Sequence, residues 1–126
     1  MKKILCIEDE PAVQKALSSA LTPEGYEVFS ALNGLDGMNM VRKEMPDLIL
    51  LDLVMPGKDG FAVLGELKQD SATARIPVII MSNLEASEDV DRALALGATT
   101  YLVKMNYKLD EIVGKIKSMI GDSHAD

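Results

Sequence analysis

Apolar or β-branched residues recur along this chain in five short runs: Ile4 to Ile7, Val28 to Ala31, Leu48 to Leu51, Val78 to Met81 and Thr100 to Val103. Between them lie segments of helical length whose apolar residues return at intervals of three and four. The alternation predicts five strand-helix units. Pro11, whose fixed φ suits a first helical position, is expected to open a helix that turns Val13, Leu17, Ala20 and Leu21 to one face, with Gly25 beyond its end. A second helix is predicted from about Leu35 to Lys43 with Met38 and Val41 inward. It must stop before Met45, because Pro46 disfavours helix in the residue preceding it. A third spans about Phe61 to Lys68. Ser87 is expected to cap the fourth, ahead of Glu88 and Asp89 at the positive end of the dipole, and Gly97 sits where a left-handed C-terminal cap belongs. The fifth, about Lys108 to Ile120, carries Leu109, Ile112, Val113, Ile116 and Ile120 at helical spacing.

Strands that alternate with helices imply a parallel sheet covered on both faces and joined by right-handed crossovers, an α/β sandwich of three layers. The runs that begin at Ile4, Leu48 and Val78 are continuously apolar, as strands buried on both faces are, and belong at the centre. "EVFSA" and "TYLV" are weaker and read as edges. The order predicted is 2-1-3-4-5.

At 126 residues the chain fits one domain, able to bury roughly two thirds of its unfolded surface, with residues 122 to 126 as a polar tail. Hydrophobic residues make up 48% of the chain and charged ones 26%, and no apolar run approaches the length of about 18 that a membrane span needs, so a soluble protein without membrane insertion is expected. "MKK" is followed by too short an apolar stretch for a signal peptide, and the lone Cys6 reads as a small buried hydrophobe in a reduced compartment. Both point to the cytoplasm. A net charge of −7 offers nothing to nucleic acid phosphates. His124, the one histidine, lies in the tail and is read as neither ligand nor phosphodonor.

In open α/β sheets, ligands bind outside the carboxyl ends of the strands. Those ends carry Glu8, Asp9 and Glu10 after strand one, Asp52 after strand three, Ser82 at the end of strand four and Lys104 after strand five. Singly each has an ordinary explanation: helix N-terminal charge, loop hydroxyl, solvated lysine. Together on one edge they form a chemistry. Asp9 and Asp52 are hard oxygen ligands of the kind that bind Mg²⁺ with water and phosphate. A carboxylate such as Asp52 can form an acyl phosphate, while Lys104 supplies positive charge and Ser82 a hydroxyl donor to phosphoryl oxygens.

These residues, with the motifs "CIEDE", "LLDLVMPGKDG", "MSN" and "GATTYLVK", resemble the receiver domain of bacterial response regulators in its single-domain, chemotaxis-regulator-like form. The spacings of 30 residues from Asp52 to Ser82 and 22 from Ser82 to Lys104 are similar to those of that family. The resemblance covers Lys3 to about Ile120, with residues 1 to 121 as the domain. It implies a flavodoxin-like (βα)5 fold and a phosphoprotein of a two-component system. Asp52 would take a phosphoryl group from the phosphohistidine of a sensor kinase or phosphotransfer protein. Such a chain is no conventional enzyme, though it catalyses its own phosphorylation and dephosphorylation. Asp9 matches the direct Mg²⁺ ligand, Glu8 the holder of a metal-bound water and the backbone carbonyl of Val54 a third protein oxygen. Ser82 and Tyr101 match a switch pair that remodels the face of the fourth helix, fifth strand and fifth helix, where an output protein would dock.

Three positions depart from the family pattern. Met105 follows Lys104 where proline, often in a cis bond, is usual, so a trans peptide and a different local loop are expected. Glu8 stands where aspartate is commoner. Val54 and Leu84, two residues beyond Asp52 and Ser82, carry no polar group to orient a water, which implies slow loss of phosphate. A flavin-binding protein on the same sheet is disfavoured because "EDEP" would repel the flavin phosphate. A phosphatase of the haloacid dehalogenase type is disfavoured by Val54, where those enzymes look for a second carboxylate. The alternative that stays open is a receiver-like module that works without phosphorylation.

Overall fold

The computed structural model describes residues 1–121; the tail from 122 to 126, including His124, lies outside the described residues. Five strands, β1 (Lys3–Ile7), β2 (Glu27–Ala31), β3 (Leu48–Leu51), β4 (Val78–Ser82) and β5 (Thr100–Val103), form one sheet of order β2-β1-β3-β4-β5 with every pair parallel. Five helices follow them: α1 (Pro11–Leu21), α2 (Gly34–Glu44), α3 (Gly60–Gln69), α4 (Ser87–Ala95) and α5 (Leu109–Ile120). This is the flavodoxin-like arrangement, and its two weakest strands are the edges. Among the described residues no helix is long and apolar enough to cross a membrane.

Side chains alternate across the sheet, and that alternation divides the core. Leu5, Ile7, Ile49, Leu51, Val78 and Ile80 face one way and pack with Met38, Val41, Val63, Leu64, Leu67 and Ala93 from α2, α3 and α4. Ile4, Cys6, Leu48, Leu50, Ile79 and Met81 face the other way and pack with Leu17, Leu21, Ile112 and Ile116 from α1 and α5. β3 and β4 are buried along their whole length. Both faces are covered, which accounts for the continuous apolar runs Leu48 to Leu51 and Val78 to Met81, with Ser82 the one polar residue at the end of β4.

The helix ends follow local chemistry. Pro11 opens α1, and α2 ends at Glu44, where Met45 takes a left-handed φ of 45° ahead of Pro46. Asn33 and Asp59 cap α2 and α3 by accepting from the backbone N–H groups of Asp36 and Ala62. After α1 the chain tightens into a 3-10 turn, Thr22–Glu24, and leaves it at Gly25 with φ 91°.

Two local expectations are corrected. Ser87 is the first residue of α4 rather than its cap; Ala86 holds the cap position without a side-chain hydrogen bond. Leu109, read with Ile112 and Ile116 at helical spacing, is 41% exposed, whereas Ile112 and Ile116 are packed in the core. Among the described residues every peptide bond is trans, including Lys104 to Met105, and the chain there forms a 3-10 turn, Lys104–Asn106.

Candidate functional site

Parallel register brings the strand exits to one edge: Ile7 lies beside Ala31 and Leu51, Leu51 beside Ile80, and Ser82 beside Val103. The residues that follow, Glu8, Asp52 and Lys104, therefore emerge together, with Ser82 as the last residue of β4. Glu8, Asp52 and Ser82 are buried, which is unusual for two carboxylates.

Lys104 compensates them. Its ammonium is ion-paired with Glu8 Oε1, lies 3.3 Å from Asp52 Oδ2 and reaches Glu10 Oε1 at 3.8 Å. The other Asp52 oxygen, Oδ1, accepts from the Val54 backbone N–H at 3.2 Å. Burial works against the charge of Lys104, but the Glu8 and Asp52 carboxylates outweigh it and hold the ammonium above the ordinary lysine value. Burial pushes the Glu8 carboxyl up to about 7, against the opposing pull of Lys104 and of the Glu10 backbone N–H.

Carboxylate oxygens of Glu8, Asp9 and Glu10 lie within 4.8 Å of one another. This set of hard oxygen donors, without nitrogen or sulfur, suits a divalent cation such as Mg²⁺. Asp52 stands outside that triplet and joins it through Lys104. Val54 is exposed beside Asp52, and Met105 is exposed beyond Lys104.

The loop from Asp52 to α3 is held close by Gly60. Its N–H donates to the Leu53 carbonyl at 3.0 Å, and a Cβ there would overlap the Asp52 carbonyl oxygen and stand 2.5 Å from Leu53 Cα. Only glycine allows this approach.

Ser82 and Tyr101 meet at the backbone of one residue, Leu84. Ser82 Oγ accepts from the Leu84 N–H at 3.2 Å, and the Tyr101 hydroxyl donates to the Leu84 carbonyl at 2.8 Å. Burial pushes the Tyr101 phenol above its ordinary value, with Ser82 pulling the other way. The ring is half-buried and packs on the core beneath α2 to α4, against which Leu84 also packs.

Sequence reasoning placed Glu8, Asp52, Ser82, Tyr101 and Lys104 at this edge. It gave Glu10 no role, and it overlooked Gln14, buried on α1 with its Nε2 donating to three main-chain carbonyls. A signal existed: Gln14 lies three residues before Leu17 and seven before Leu21, a polar residue on an apolar stripe.

Known proteins share this fold. Residues 4–117 match the family described as the response regulator receiver domain. Protein PilH of Pseudomonas aeruginosa is 38% identical over 104 residues, covering 82% of this chain and 86% of PilH. The DNA-binding dual master transcriptional regulator RpaA of Synechocystis is 35% identical over 120 residues, covering 95% of this chain and 49% of RpaA. The chain spans half or less of several curated relatives that it matches. Among solved structures, the phosphorylated cyanobacterial phytochrome response regulator RcpA is 34% identical, with a TM-score of 0.84 over 94% of this chain and 93% of that one. A buried aspartate at the exit of the central strand, a lysine bridging it to an acidic triplet, and a match over nearly the whole chain place this protein in the family of response regulator receiver domains.

Proposed function

We propose that Asp52 is the phosphoacceptor of this receiver domain and that Glu8, Asp9 and Glu10 border the site of its Mg²⁺. The observation that carries the proposal is the buried Asp52 carboxylate held 3.3 Å from Lys104 and joined through it to the acidic triplet. An Asp52 carboxylate oxygen forms the O–P bond while the P–N bond to the imidazole of a phosphohistidine donor breaks. The electron pair stays on the imidazole nitrogen, which takes up a proton. Lys104 offsets negative charge on the phosphoryl oxygens, and the Ser82 hydroxyl donates to one of them. The bound cation supplies charge neutralisation to the same oxygens. Asp9, Asp52 and the Val54 carbonyl would be its protein ligands, and the Glu8 carboxylate would accept hydrogen bonds beside them.

Ser82 and Tyr101 form the switch. When the Ser82 hydroxyl turns to the phosphoryl group it leaves the Leu84 N–H, and the carbonyl of the same residue holds Tyr101. Phosphorylation thereby shifts an existing balance of conformations at α4, β5 and α5, where an output protein docks. The donor is a sensor histidine kinase or a histidine phosphotransfer protein, and the setting is the cytoplasm.

The test is incubation with Mg²⁺ and a small phosphodonor, read by intact mass. The expected result is a gain of one phosphoryl group in the wild type and none in Asp52→Asn. A wild type that stays unmodified, or an Asp52→Asn variant modified equally, overturns the proposal in favour of a module that works without phosphorylation.

A further inference from the structure

Gln14 is a buried polar side chain for which phosphoryl transfer has no direct use. It sits in the first turns of α1 and is 6% exposed. Its Nε2 donates to the carbonyls of Cys6 at 2.8 Å, Glu8 at 3.1 Å and Ala31 at 2.8 Å, so two hydrogens serve three acceptors. Cys6 and Glu8 flank the last residue of β1, and Ala31 ends β2. The Ala31 carbonyl also accepts from the Glu8 backbone N–H at 3.0 Å. One carboxamide therefore fastens the exits of two strands at the point where the chain turns to deliver Glu8 and Asp9.

The rest of that amide is a liability. Gln14 Oε1 is buried and has no hydrogen-bond partner among the described residues. An apolar side chain of similar volume would fit the stripe of Leu17 and Leu21 without that desolvation penalty. What the residue contributes thus lies in its nitrogen.

We propose that Gln14 is a positioning residue for the cation pocket. By fixing the Cys6, Glu8 and Ala31 carbonyls it sets where the Glu8 and Asp9 carboxylates stand, and so how tightly a divalent cation binds. This rests on the reading of the acidic triplet as a cation site. Mg²⁺ demands near-ideal octahedral geometry, and loss of groups that orient its ligands typically weakens binding 10- to 100-fold.

The experiment titrates the full chain with Mg²⁺ alone by calorimetry, for the wild type, Gln14→Met and Leu21→Ala. Leu21 is fully buried on the same helix, so Leu21→Ala loosens α1 without removing the Gln14 hydrogen bonds. Urea unfolding ranks the stabilities, and amide exchange at Glu8 reports the turn directly. The expected result is a Kd about tenfold weaker in Gln14→Met, with faster exchange at the Glu8 amide, and a Kd unchanged in Leu21→Ala. Should Gln14→Met fail to fold, Gln14→Asn, which withdraws the amide by one methylene, is expected to move both readouts in the same direction. Wild-type affinity in a folded Gln14 variant, or equal weakening in Leu21→Ala, overturns the inference. A wild type that does not bind Mg²⁺ overturns the cation-site reading itself.

Discussion

Glu8 makes the stability of the metal-free protein depend on pH in a direction opposite to most paired carboxylates. Its pKa is raised from 4.5 to about 7, and the side chain is buried, so solvent screening removes little of the effect. Below pH 4.5 the carboxyl is protonated in the folded and unfolded chains alike and contributes nothing to their difference. As pH rises, the unfolded chain ionises first while the folded one keeps its proton, so stability falls. Above about 7 both are ionised, and the full penalty stands. At about 1.4 kcal/mol per unit, the shift corresponds to about 3 kcal/mol. The perturbation is Glu8→Gln, which keeps the shape and removes the titration; Lys104 retains Asp52 at 3.3 Å. The assay is urea unfolding followed by circular dichroism, in the presence of a chelator, across this pH range. Subtracting the variant from the wild type cancels the other carboxylates, to the extent that they titrate alike in both. The difference is expected to fall by about 3 kcal/mol from the acid to the neutral limit. Saturating Mg²⁺ is expected to flatten it, because the cation favours the ionised carboxylate. A difference that is independent of pH refutes the assignment of a raised pKa to Glu8.

Three further outcomes follow from the same geometry. Gly60→Ala drives a methyl group into the Asp52 carbonyl and Leu53, so unfolding experiments should show a loss of about 1–3 kcal/mol, and phosphorylation of Asp52 should slow as the loop shifts. Burial pushes the Cys6 thiol up to about 12, so a thiol reagent should leave the native protein unmodified near neutral pH and label it fully in denaturant. Val54 is exposed beside Asp52 and has no polar group, so Val54→Asn should speed loss of phosphate by orienting a water; an unchanged rate excludes a role for that position.

Much of the fold was legible because its signals are local. Four continuous apolar residues ending at Asp52 mark a central strand, since a strand covered on both faces has no room for polar side chains. Pro11 and Pro46 mark a helix start and a helix stop through their effect on φ and on the preceding residue. Ser87 and Leu109 misled for the complementary reason: capping and exposure depend on where the chain arrives in space. Ser87 has a capping side chain but stands one position inside its helix, and Leu109 fits the helical period but is exposed one turn before the buried Ile112.

The site divides along the same line. The sequence by itself determined which chemical groups stand at the strand exits, because strand ends are set by hydrophobic pattern and Glu8, Asp9, Asp52, Ser82 and Lys104 follow directly from it. Only the tertiary structure decided how they pair. That Lys104 holds Glu8 as well as Asp52, that Tyr101 reaches the Leu84 backbone that Ser82 also bonds, and that Gln14 ties the end of β1 to Ala31 all depend on contacts between residues far apart along the chain. Parallel register and side-chain geometry create them, and neither leaves a trace in local periodicity.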